Sequence, residues 1–392
     1  MKINYDQVSN IREIRAKLEE LKKENQDQRV TRGDMAAKIN SLHPASVSVK
    51  VKSITEVTAS SKCIRFVGDE CVLPYFRAGQ YINVKVNIHG IQTSRSYTLS
   101  SPPSERGYYE ITVRRKPIGG FVSDYLLDEL QVGDKLEISS PSGSFYYRRP
   151  LHGDDLVFLA GGSGITPFLS MIRYWDAMKY HGKKVTLIYG SSHADDVIYL
   201  DELKQLEKRW PEFKFHLVIS DPEEGYQGLT GFINADLIRK VIGDVTGKRF
   251  FLCGPDAMHN FVKPELEKLG ISKYDIDGEG HAPADATKLP DWPAGVSADD
   301  MITVQIEDGI SFQARAGEPL LNSMERNGVV VLSKCRVGEC AYCRTKLLSG
   351  NVVYPKETWI RKADVANNVI HPCVAYPTSD VVLRLYTESA KK

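Results

Sequence analysis

The chain has 392 residues, 42% of them hydrophobic and 26% charged, which is enough for two or three domains that each bury a core. Its 51 Lys and Arg residues nearly balance 50 Asp and Glu residues, which argues against a polyanionic partner such as nucleic acid. No apolar run reaches the roughly 18 residues that a membrane span requires, and the charged N-terminus lacks the apolar core of a signal peptide, so we expect a cytoplasmic protein without a membrane span.

Residues 1–45 show the spacing of two short helices. Apolar residues recur every three or four positions in two groups: Val8, Ile11, Ile14, Leu18 and Leu21, then Met35, Ile39 and Leu42. The pattern is too short to predict a coiled coil. We therefore favour an extension that packs on the rest of the protein, and dimerisation or docking of a partner are the alternatives.

Residues 46–150 alternate apolar and polar side chains and are rich in β-branched residues. Six segments with turn residues between them have this character: VSVKVKSITEV, KCIRFVG, YINVKVNI, SYTLSS, YYEITVRR and KLEISS. Short strands at this spacing predict an antiparallel β-barrel. A helix is predicted within it at GGFVSDYLLDEL.

Residues 151–280 change to continuous apolar runs that alternate with amphipathic stretches. The runs are DLVFLAG, KVTLIYGS, KFHLVIS and KRFFLCG. This rhythm predicts an α/β domain with a parallel sheet covered by helices on both faces.

Residues 281–300 are rich in Pro, Ala and Asp and predict a linker, which would either permit movement or join rigid parts. Residues 301–392 then predict a hairpin, a helix, a cysteine-rich stretch and a closing strand, VVLRLY.

Four cysteines have the spacing of an iron–sulfur site. Cys335, Cys340 and Cys343 form a C-x4-C-x2-C pattern, and Cys373 follows after a further 29 residues. This is the plant-type spacing for a 2Fe–2S cluster, in which each iron takes two thiolates. A structural zinc site more often shows paired C-x2-C elements, so zinc is the lesser alternative. Clustered thiols in a reducing compartment also favour a metal site over disulfides.

Two turns of the α/β region are candidates for nucleotide binding. Gly161, Gly162 and Gly164 stand between an apolar strand and a helix that Pro167 opens, which matches the dinucleotide fingerprint only in part. A plain strand-to-helix turn is the alternative. A second sharp turn, Cys253–Pro255, falls at the same edge of the predicted sheet, where open α/β sheets bind ligands.

The barrel carries side chains that suit a flavin. Arg95, Tyr97 and their Ser and Thr neighbours lie on one strand, and Gly119, Gly120 and Ser123 lie at the start of a helix. A flavin needs an aromatic face, a hydroxyl or N–H near its reactive nitrogen, and donors for its phosphate. The two segments together supply all three, although each alone would be unremarkable.

The segments RSYT, GGFVS, GGSGITP and CGPDAM, in this order, resemble the ferredoxin–NADP reductase superfamily, and the tail resembles a plant-type ferredoxin. The domain order is similar to that of the phthalate dioxygenase reductase type. The resemblance implies a multidomain protein with an antiparallel β-barrel flavin domain, an α/β nucleotide domain, an α+β ferredoxin domain of the β-grasp fold and a helical N-terminal extension.

The resemblance also implies roles for individual residues. For the flavin, the implied phosphate contacts are Arg95 with Ser96 beside it, the ring contacts are Tyr97 and Thr98, and the pyrophosphate contacts are Gly119, Gly120, Phe121, Val122 and Ser123. For the nicotinamide, the implied pocket is lined by Gly162, Gly164, Thr166 and Pro167, with Cys253 near the hydride path and Gly254, Pro255 and Asp256 shaping it. Cys335, Cys340, Cys343 and Cys373 would ligate the cluster.

The choice among cofactors follows from four stretches. The GGFVSDYLL helix start and Gly143–Arg148 are similar to FAD-using members, so FAD is favoured over FMN. The stretches SSHADDV and ISDPEEGYQ carry carboxylates where NADPH users place basic residues, and like charges would repel a 2′-phosphate, so NADH is favoured over NADPH. Glu279 occupies about the place of a glutamate found in related reductases.

The resemblance implies an oxidoreductase in which Tyr97, Thr98, Thr166 and Cys253 hold the nicotinamide and flavin rings for hydride transfer. Electrons would then pass singly through the cluster to an electron-acceptor protein, an oxygenase or another metalloenzyme component. The alternatives are a self-contained oxidoreductase that acts directly on a small molecule, and a non-catalytic redox sensor or scaffold.

Overall fold

The computed structural model of the chain describes residues 13, 16–17, 19–20, 32–116, 121–280, 292–355, 358 and 360–386. The chain divides into two compact units, Met1–Ala45 and Ser46–Lys392. None of the helices in these described ranges is both long enough and apolar enough to cross a bilayer.

The first unit contains helix α1 (Arg32–Leu42). The side chains of Met35, Ile39 and Leu42, which set the second helical pattern, are 53%, 56% and 68% exposed. The apolar residues of the first predicted helix lie outside the described residues, although the described ones among 13–20 are helical.

The second unit begins with six antiparallel strands: β1 (Val47–Thr58), β2 (Ser61–Gly68), β3 (Tyr81–Ile88), β4 (Ile91–Thr98), β5 (Tyr109–Arg114) and β6 (Lys135–Ile138). Their order is β4-β3-β6-β1-β2-β5. A bridge between Leu99 and Ile111 joins the two outer strands, and this contact closes the sheet into a barrel. Helix α2 (Phe121–Asp128) lies between β5 and β6 in the chain.

The period of two in β1 explains why this segment is a strand. Val47, Val49 and Val51 are buried, whereas the residues between them are exposed. The valines join the barrel core with Ile64 and Phe66 of β2.

The middle of the unit is a parallel sheet of six strands: β7 (Asp155–Gly161), β8 (Lys184–Ser191), β9 (Phe213–Ile219), β10 (Leu229–Thr230), β11 (Arg249–Gly254) and β12 (Ile276–Gly280). Their order is β10-β9-β8-β7-β11-β12. The helices are α3 (Arg149–His152), α4 (Thr166–Ala177), α5 (Leu200–Arg209), α6 (Ala235–Ile242) and α7 (Asp256–Lys268).

Alternate residues of β7 enter two different cores. Phe158 packs with Phe168 and Trp175 of α4, while Leu159 packs in the cluster that contains Val262 of α7. Helices therefore cover both faces of the sheet, as its continuous apolar runs predict.

The C-terminal part is built on a mixed sheet of five strands: β13 (Met301–Ile306), β14 (Ser311–Arg315), β15 (Thr345–Ser349), β17 (Val369–Ile370) and β19 (Val381–Leu385). Their order is β14-β13-β19-β15-β17, with β13 and β19 parallel. The short strands β16 (Val352–Val353) and β18 (Tyr376–Pro377) form a second sheet, and the helices are α8 (Leu320–Arg326) and α9 (Lys362–Ala366). Helix α8 packs on the five-stranded sheet, which is the β-grasp arrangement.

Residues 281–291 of the predicted linker lie outside the described residues, and residues 292–300 form turns. The Trp292 Nε1 donates to the Val296 carbonyl at 2.7 Å, and the Ala316 amide donates to the Asp300 carbonyl at 2.9 Å. A Cβ on Gly317 would lie 2.6 Å from the Cβ of Ala298. The end of this segment therefore packs closely on the ferredoxin fold.

Candidate active site at the junction of three domains

One large cleft lies where the barrel, the parallel sheet and the ferredoxin fold meet. Its volume is about 1460 Å³. Of the sequence-predicted residues, those that line it are Arg95, Ser96, Tyr97, Thr98, Phe121, Val122, Ser123, Gly162, Thr166, Pro255 and Cys373. Residues predicted from five separate motifs are thus brought to one cavity.

Strand β4 supplies the arginine, aromatic and hydroxyl groups of the cleft. It pairs with β3, and Val84 stands opposite Arg95 while Ile82 stands opposite Tyr97. The Arg95 Nη1 donates to the Thr93 Oγ1 and to the Ser94 carbonyl, both at 2.8 Å. Burial, and then the nearby Arg336 guanidinium, lower the pKa of Arg95 to about 10. A half-buried cation on the cleft wall suits an anionic cofactor group.

Helix α2 reaches the same cleft with its first residues. Phe121 is 42% exposed, whereas Val122 and Ser123 are buried. The backbone N–H groups of a helix start favour a phosphate, so this end fits the pyrophosphate of a dinucleotide such as FAD. Gly119 and Gly120, predicted for the same role, lie outside the described residues.

The glycine turn after β7 is a 3₁₀ turn, Gly162–Ile165, that leads into α4. Gly162 has a φ of 53°, and a Cβ there would lie 2.8 Å from the Arg114 Nη1. Gly164 has another role, because its Cβ would lie 2.2 Å from the carbonyl oxygen of Cys253. Gly164 therefore permits close packing of the turn on β11, while Gly162 and Thr166 face the cleft. Pro167 is buried in the first turn of α4 and is outside the cleft lining.

The second predicted turn lies directly against the first. The Cα of Gly161 would be 3.3 Å from a Cβ on Gly254, and Met258 packs on both glycines. Cys253 is fully buried in the sheet core, and burial followed by the nearby Glu279 carboxyl raises the pKa of its thiol well above the ordinary value. Pro255 lines the cleft, whereas Cys253, Gly254 and Asp256, which begins α7, support the turn from behind.

Glu279 lies at a boundary that the sequence did not indicate. Its strand β12 pairs with β11, and Glu279 stands opposite Cys253. Burial, and then the Glu339 carboxyl of the cysteine loop, raise the pKa of Glu279 to about 8. Its Oε2 is buried without a hydrogen-bond partner within the described part of the chain. The edge of the nucleotide sheet and the cysteine loop therefore approach each other here.

The four predicted cluster cysteines fall into two pairs. The Cys340 amide donates to the Cys335 Sγ at 3.4 Å, and the Cys343 and Cys373 Sγ atoms are 3.3 Å apart. Among the described residues, no three His, Cys, Asp or Glu side chains are grouped as ligands of a single ion. Two thiol pairs fit two irons, each with two protein ligands.

Backbone amides around the thiols also fit a cluster. The amides of Val337 and Cys340 bind the Cys335 sulfur, and the amide of Gly338 binds the Cys373 sulfur. The loop reaches this shape through left-handed conformations at Arg336, Gly338 and Ala341, with φ values of 57°, 84° and 54°. Such N–H groups stabilise thiolates and the cluster they hold.

A histidine that the sequence analysis did not select braces this loop. The His371 ring lies 3.0 Å from the Gly338 carbonyl through Nδ1 and 3.1 Å from the Asp364 Oδ2 through Nε2. Both side chains are about 1% exposed, and Asp364 also pairs with Arg344. A lone His before Cys373 gave no sequence signal of this contact.

Strand β4 also contacts the ferredoxin fold directly. The Thr93 Oγ1 donates to the Glu325 Oε2 at 2.7 Å, and the Ser96 Oγ donates to the Cys335 carbonyl at 3.4 Å. Glu325 pairs with Arg336, and the Arg95 Nη1 is 3.6 Å from the same carboxylate. Glu325 and Arg336 were missed by sequence reasoning because their partner on β4, Thr93, lies 232 and 243 residues away in the chain.

The acidic stretch SSHADDV has two faces. Asp196 accepts from the Thr58 Oγ1 at 2.5 Å and from the Ser60 Oγ at 2.7 Å, and it pairs with Arg114. It therefore joins the nucleotide sheet to the barrel. On its other side, His193 of this stretch lies 3.7 Å from Asp221 of the stretch ISDPEEGYQ, whose side chain is 77% exposed.

Three family models match the chain in succession. They are the oxidoreductase FAD-binding domain at residues 48–147, the oxidoreductase NAD-binding domain at residues 158–264 and the 2Fe-2S iron-sulfur cluster binding domain at residues 303–378.

Known proteins are similar to most of the chain or to part of it. The glycine betaine monooxygenase reductase subunit of Pseudomonas aeruginosa is 28% identical over 350 residues, which cover 86% of this chain and 94% of the relative. NADH-cytochrome b5 reductase 1 of Mortierella alpina is 30% identical over 214 residues, or 54% of this chain and 68% of the relative. The solved structure of phthalate dioxygenase reductase has the same fold, with a TM-score of 0.65, 24% identity, and coverage of 87% of this chain and 98% of that one.

The domain models, the shared cleft and the paired thiols agree on an NAD(P)H-dependent oxidoreductase with FAD-binding, NAD-binding and 2Fe–2S domains. The chain belongs to the ferredoxin–NADP reductase superfamily, in the group that carries a plant-type 2Fe–2S domain at its C-terminal end.

Proposed function

We propose that the chain is the reductase component of a two-protein system, which takes electrons from NADH and delivers them to a separate oxygenase or other metalloenzyme component. The observation that carries this proposal is the cleft in which Tyr97, Gly162 and Cys373 are all wall residues. The relative from Pseudomonas aeruginosa, named as a monooxygenase reductase subunit, supports the same role.

The flavin is assigned to the barrel side of the cleft. Arg95 and Ser96 would bind its phosphate, together with the start of α2 at Phe121–Ser123 and the preceding Gly119 and Gly120. Tyr97 would lie against the ring, and Thr98 would approach its reactive nitrogen. When bound, the flavin accepts a hydride from the nicotinamide and releases electrons one at a time.

The nicotinamide is assigned to the sheet side of the cleft. Gly162, Thr166 and Pro255 line its pocket, and the Thr166 hydroxyl, which donates to the Ser163 carbonyl at 2.9 Å, fixes the turn. Positioning of the two rings in contact is the chain's main contribution to hydride transfer. The remaining predicted residues lie behind the turn and would contribute by supporting it: Gly164, Pro167, Cys253, Gly254 and Asp256.

The cluster is assigned to Cys335 and Cys340 on one iron and to Cys343 and Cys373 on the other. Cys340 is the least buried of the four, and the neighbouring Tyr342 is 43% exposed beneath the Lys334 ammonium group, which lies 4.2 Å from its ring. This side of the loop is where we expect the acceptor protein to approach. Cys373, on the other side, faces the flavin cleft.

The proposal includes four further points that follow from the sequence. Residues 46–150, 151–280 and 301–392 are taken as the three domains, with residues 281–300 as the linker. The exposed apolar residues of α1 support dimerisation or acceptor docking through residues 1–45. NADH is preferred to NADPH, and the clustering of cysteines in a chain that has seven of them, an odd number, fits a cytoplasmic location. The role of residues 1–45 is tested by deleting them and measuring the oligomeric mass and the kinetics of electron transfer to the partner protein. Unchanged mass and unchanged kinetics would refute dimerisation or docking through this segment.

The function is tested by separating the two electron-transfer steps. Cys340→Ala removes a cluster ligand, and we expect it to retain NADH-dependent reduction of ferricyanide but to lose reduction of cytochrome c. Cys71→Ala is the matched control, because Cys71 is exposed and lies outside the cluster loop. Loss of both activities, or retention of both, would contradict the proposed order of transfer.

A self-contained oxidoreductase that acts directly on a small molecule is the alternative. It predicts NADH-dependent turnover of that molecule by the purified chain alone, whereas the proposed reductase needs a partner protein. The open side of the cluster loop favours the reductase.

A further inference from the structure

Arg336 belongs to the cysteine loop but lies on the wall of the flavin cleft. It follows Cys335 directly, and its left-handed backbone, with a φ of 57°, turns the side chain toward strand β4. The side chain is only 9% exposed and lines the same cleft as Arg95. A residue of the ferredoxin domain is thereby placed beside the proposed flavin phosphate site.

The hydrogen bonds of Arg336 are incomplete. Its Nη2 donates to the Glu325 carboxylate and, at 3.4 Å, to the Thr93 Oγ1. Within the described residues its Nε is buried without an acceptor. Buried guanidinium donors normally have hydrogen-bond acceptors. Arg336 therefore has fewer acceptors within the protein than such a group usually has.

The local charge is also unbalanced. Arg95 and Arg336 share one carboxylate, Glu325, and Lys116 lines the same cleft. The pKa of Lys116 is lowered by burial and then by the Arg95 guanidinium, as expected where cations lie close together without enough anions. An anion placed among these three cations would relieve their mutual repulsion.

We propose that Arg336 is a flavin-binding residue contributed by the ferredoxin domain, with Glu325 holding its guanidinium so that the free N–H donors meet the phosphate of the flavin. This inference rests on the proposed assignment of the flavin to the Arg95 side of the cleft. An arginine fork suits a phosphate because its planar donors match two oxygens at once. Flavin binding and docking of the ferredoxin domain on the barrel are then linked.

The test compares flavins with and without a phosphate on the full-length protein. Arg336→Gln is expected to weaken binding of FAD and of FMN by about tenfold or more, since a charge-assisted hydrogen bond is lost. Binding of riboflavin, which has no phosphate, is expected to stay within about twofold. The control is Arg384→Gln, which removes an arginine of the same domain whose partner is the exposed Glu307, outside the cleft. Visible absorption of the cluster checks that every variant carries it.

A double variant separates ligand binding from structural support. In Glu325→Gln/Arg336→Gln, two amides replace the ion pair, and Arg95 keeps its hydrogen bonds to the Thr93 Oγ1 and the Ser94 carbonyl. Affinity for FAD that stays at least about tenfold below that of the wild type supports the proposal. Recovery of wild-type affinity, or an equal loss for riboflavin, would overturn it and leave Arg336 as a docking residue. If the wild-type chain binds no flavin, the proposed function itself fails, whereas unchanged FAD binding by Arg336→Gln refutes this inference alone.

Discussion

Gly164→Ala tests how the nucleotide turn is held. A Cβ at this position would lie 2.2 Å from the carbonyl oxygen of Cys253 and 2.8 Å from the Cα of Gly254. Both of these atoms belong to the backbone of β11, so movement of a flexible side chain cannot relieve the contact. Gly164 does not have a positive φ, and the substitution is therefore purely a steric perturbation.

The size of the effect follows from these distances. An ordinary contact of a Cβ is about 3.4–4 Å, so the turn and β11 would have to separate by about 1 Å. Overpacking of a dense core by one methyl group costs about 1–3 kcal/mol, and backbone neighbours place this site at the upper end. At about 2–4 °C per kcal/mol, the expected fall in Tm is about 5–10 °C. The KM for NADH should rise because the displaced turn carries Gly162 and Thr166.

The assay is thermal unfolding of the flavin-loaded protein, together with steady-state kinetics for NADH. Gly182→Ala is the control, because a Cβ at Gly182 meets nothing within 4 Å and its backbone is not left-handed. A Tm for Gly164→Ala within about 1 °C of the control, with an unchanged KM, would show that the turn does not pack on β11 as described.

Two further predictions concern coenzyme choice and pH. Asp221→Arg places a cation where an exposed carboxylate stands, and we expect kcat/KM for NADPH to rise about tenfold while that for NADH falls. No gain with NADPH would refute the proposal that the acidic stretch ISDPEEGYQ disfavours a 2′-phosphate. Burial lowers the pKa of His152 in the folded protein below its ordinary value, so the imidazole takes up a proton more readily in the unfolded chain. The folded protein therefore loses stability as the pH falls below about 6.5, the ordinary pKa of histidine. His152→Asn keeps an acceptor for the Arg148 amide and should reduce the fall in Tm between about pH 7 and pH 5; parallel curves for both proteins would contradict this.

The elements with a strong local pattern could be predicted from the sequence. Apolar and polar residues alternate in β1, as expected for a strand of an antiparallel sheet that is buried on one face. The continuous apolar run of β7 is expected for a strand of a parallel sheet that is buried on both faces. The cysteine spacing identified the cluster site for a similar reason, since one tight loop must supply three ligands. In each case the determining contacts are close in the chain.

The contacts between domains could not be predicted in this way. Glu325 meets Thr93 across 232 residues, and nothing in the sequence around either residue indicates a partner. Strand β12 has the sequence IDGEG, which favours a turn, and it is a strand because it pairs in register with β11. Gly164 was predicted to line the nicotinamide pocket. Its close approach to the Cys253 carbonyl could not be predicted, because the two turns meet only in the folded sheet.

Strand β4 faces the flavin cleft and also contacts the cysteine loop through residues that lie within a few positions of each other. A foreign ferredoxin module without counterparts of Glu325 and Arg336 would remove the carboxylate beside Arg95 and the two partners of the Thr93 hydroxyl in the ferredoxin fold. A module grafted onto this barrel therefore needs a glutamate and an arginine at these two positions.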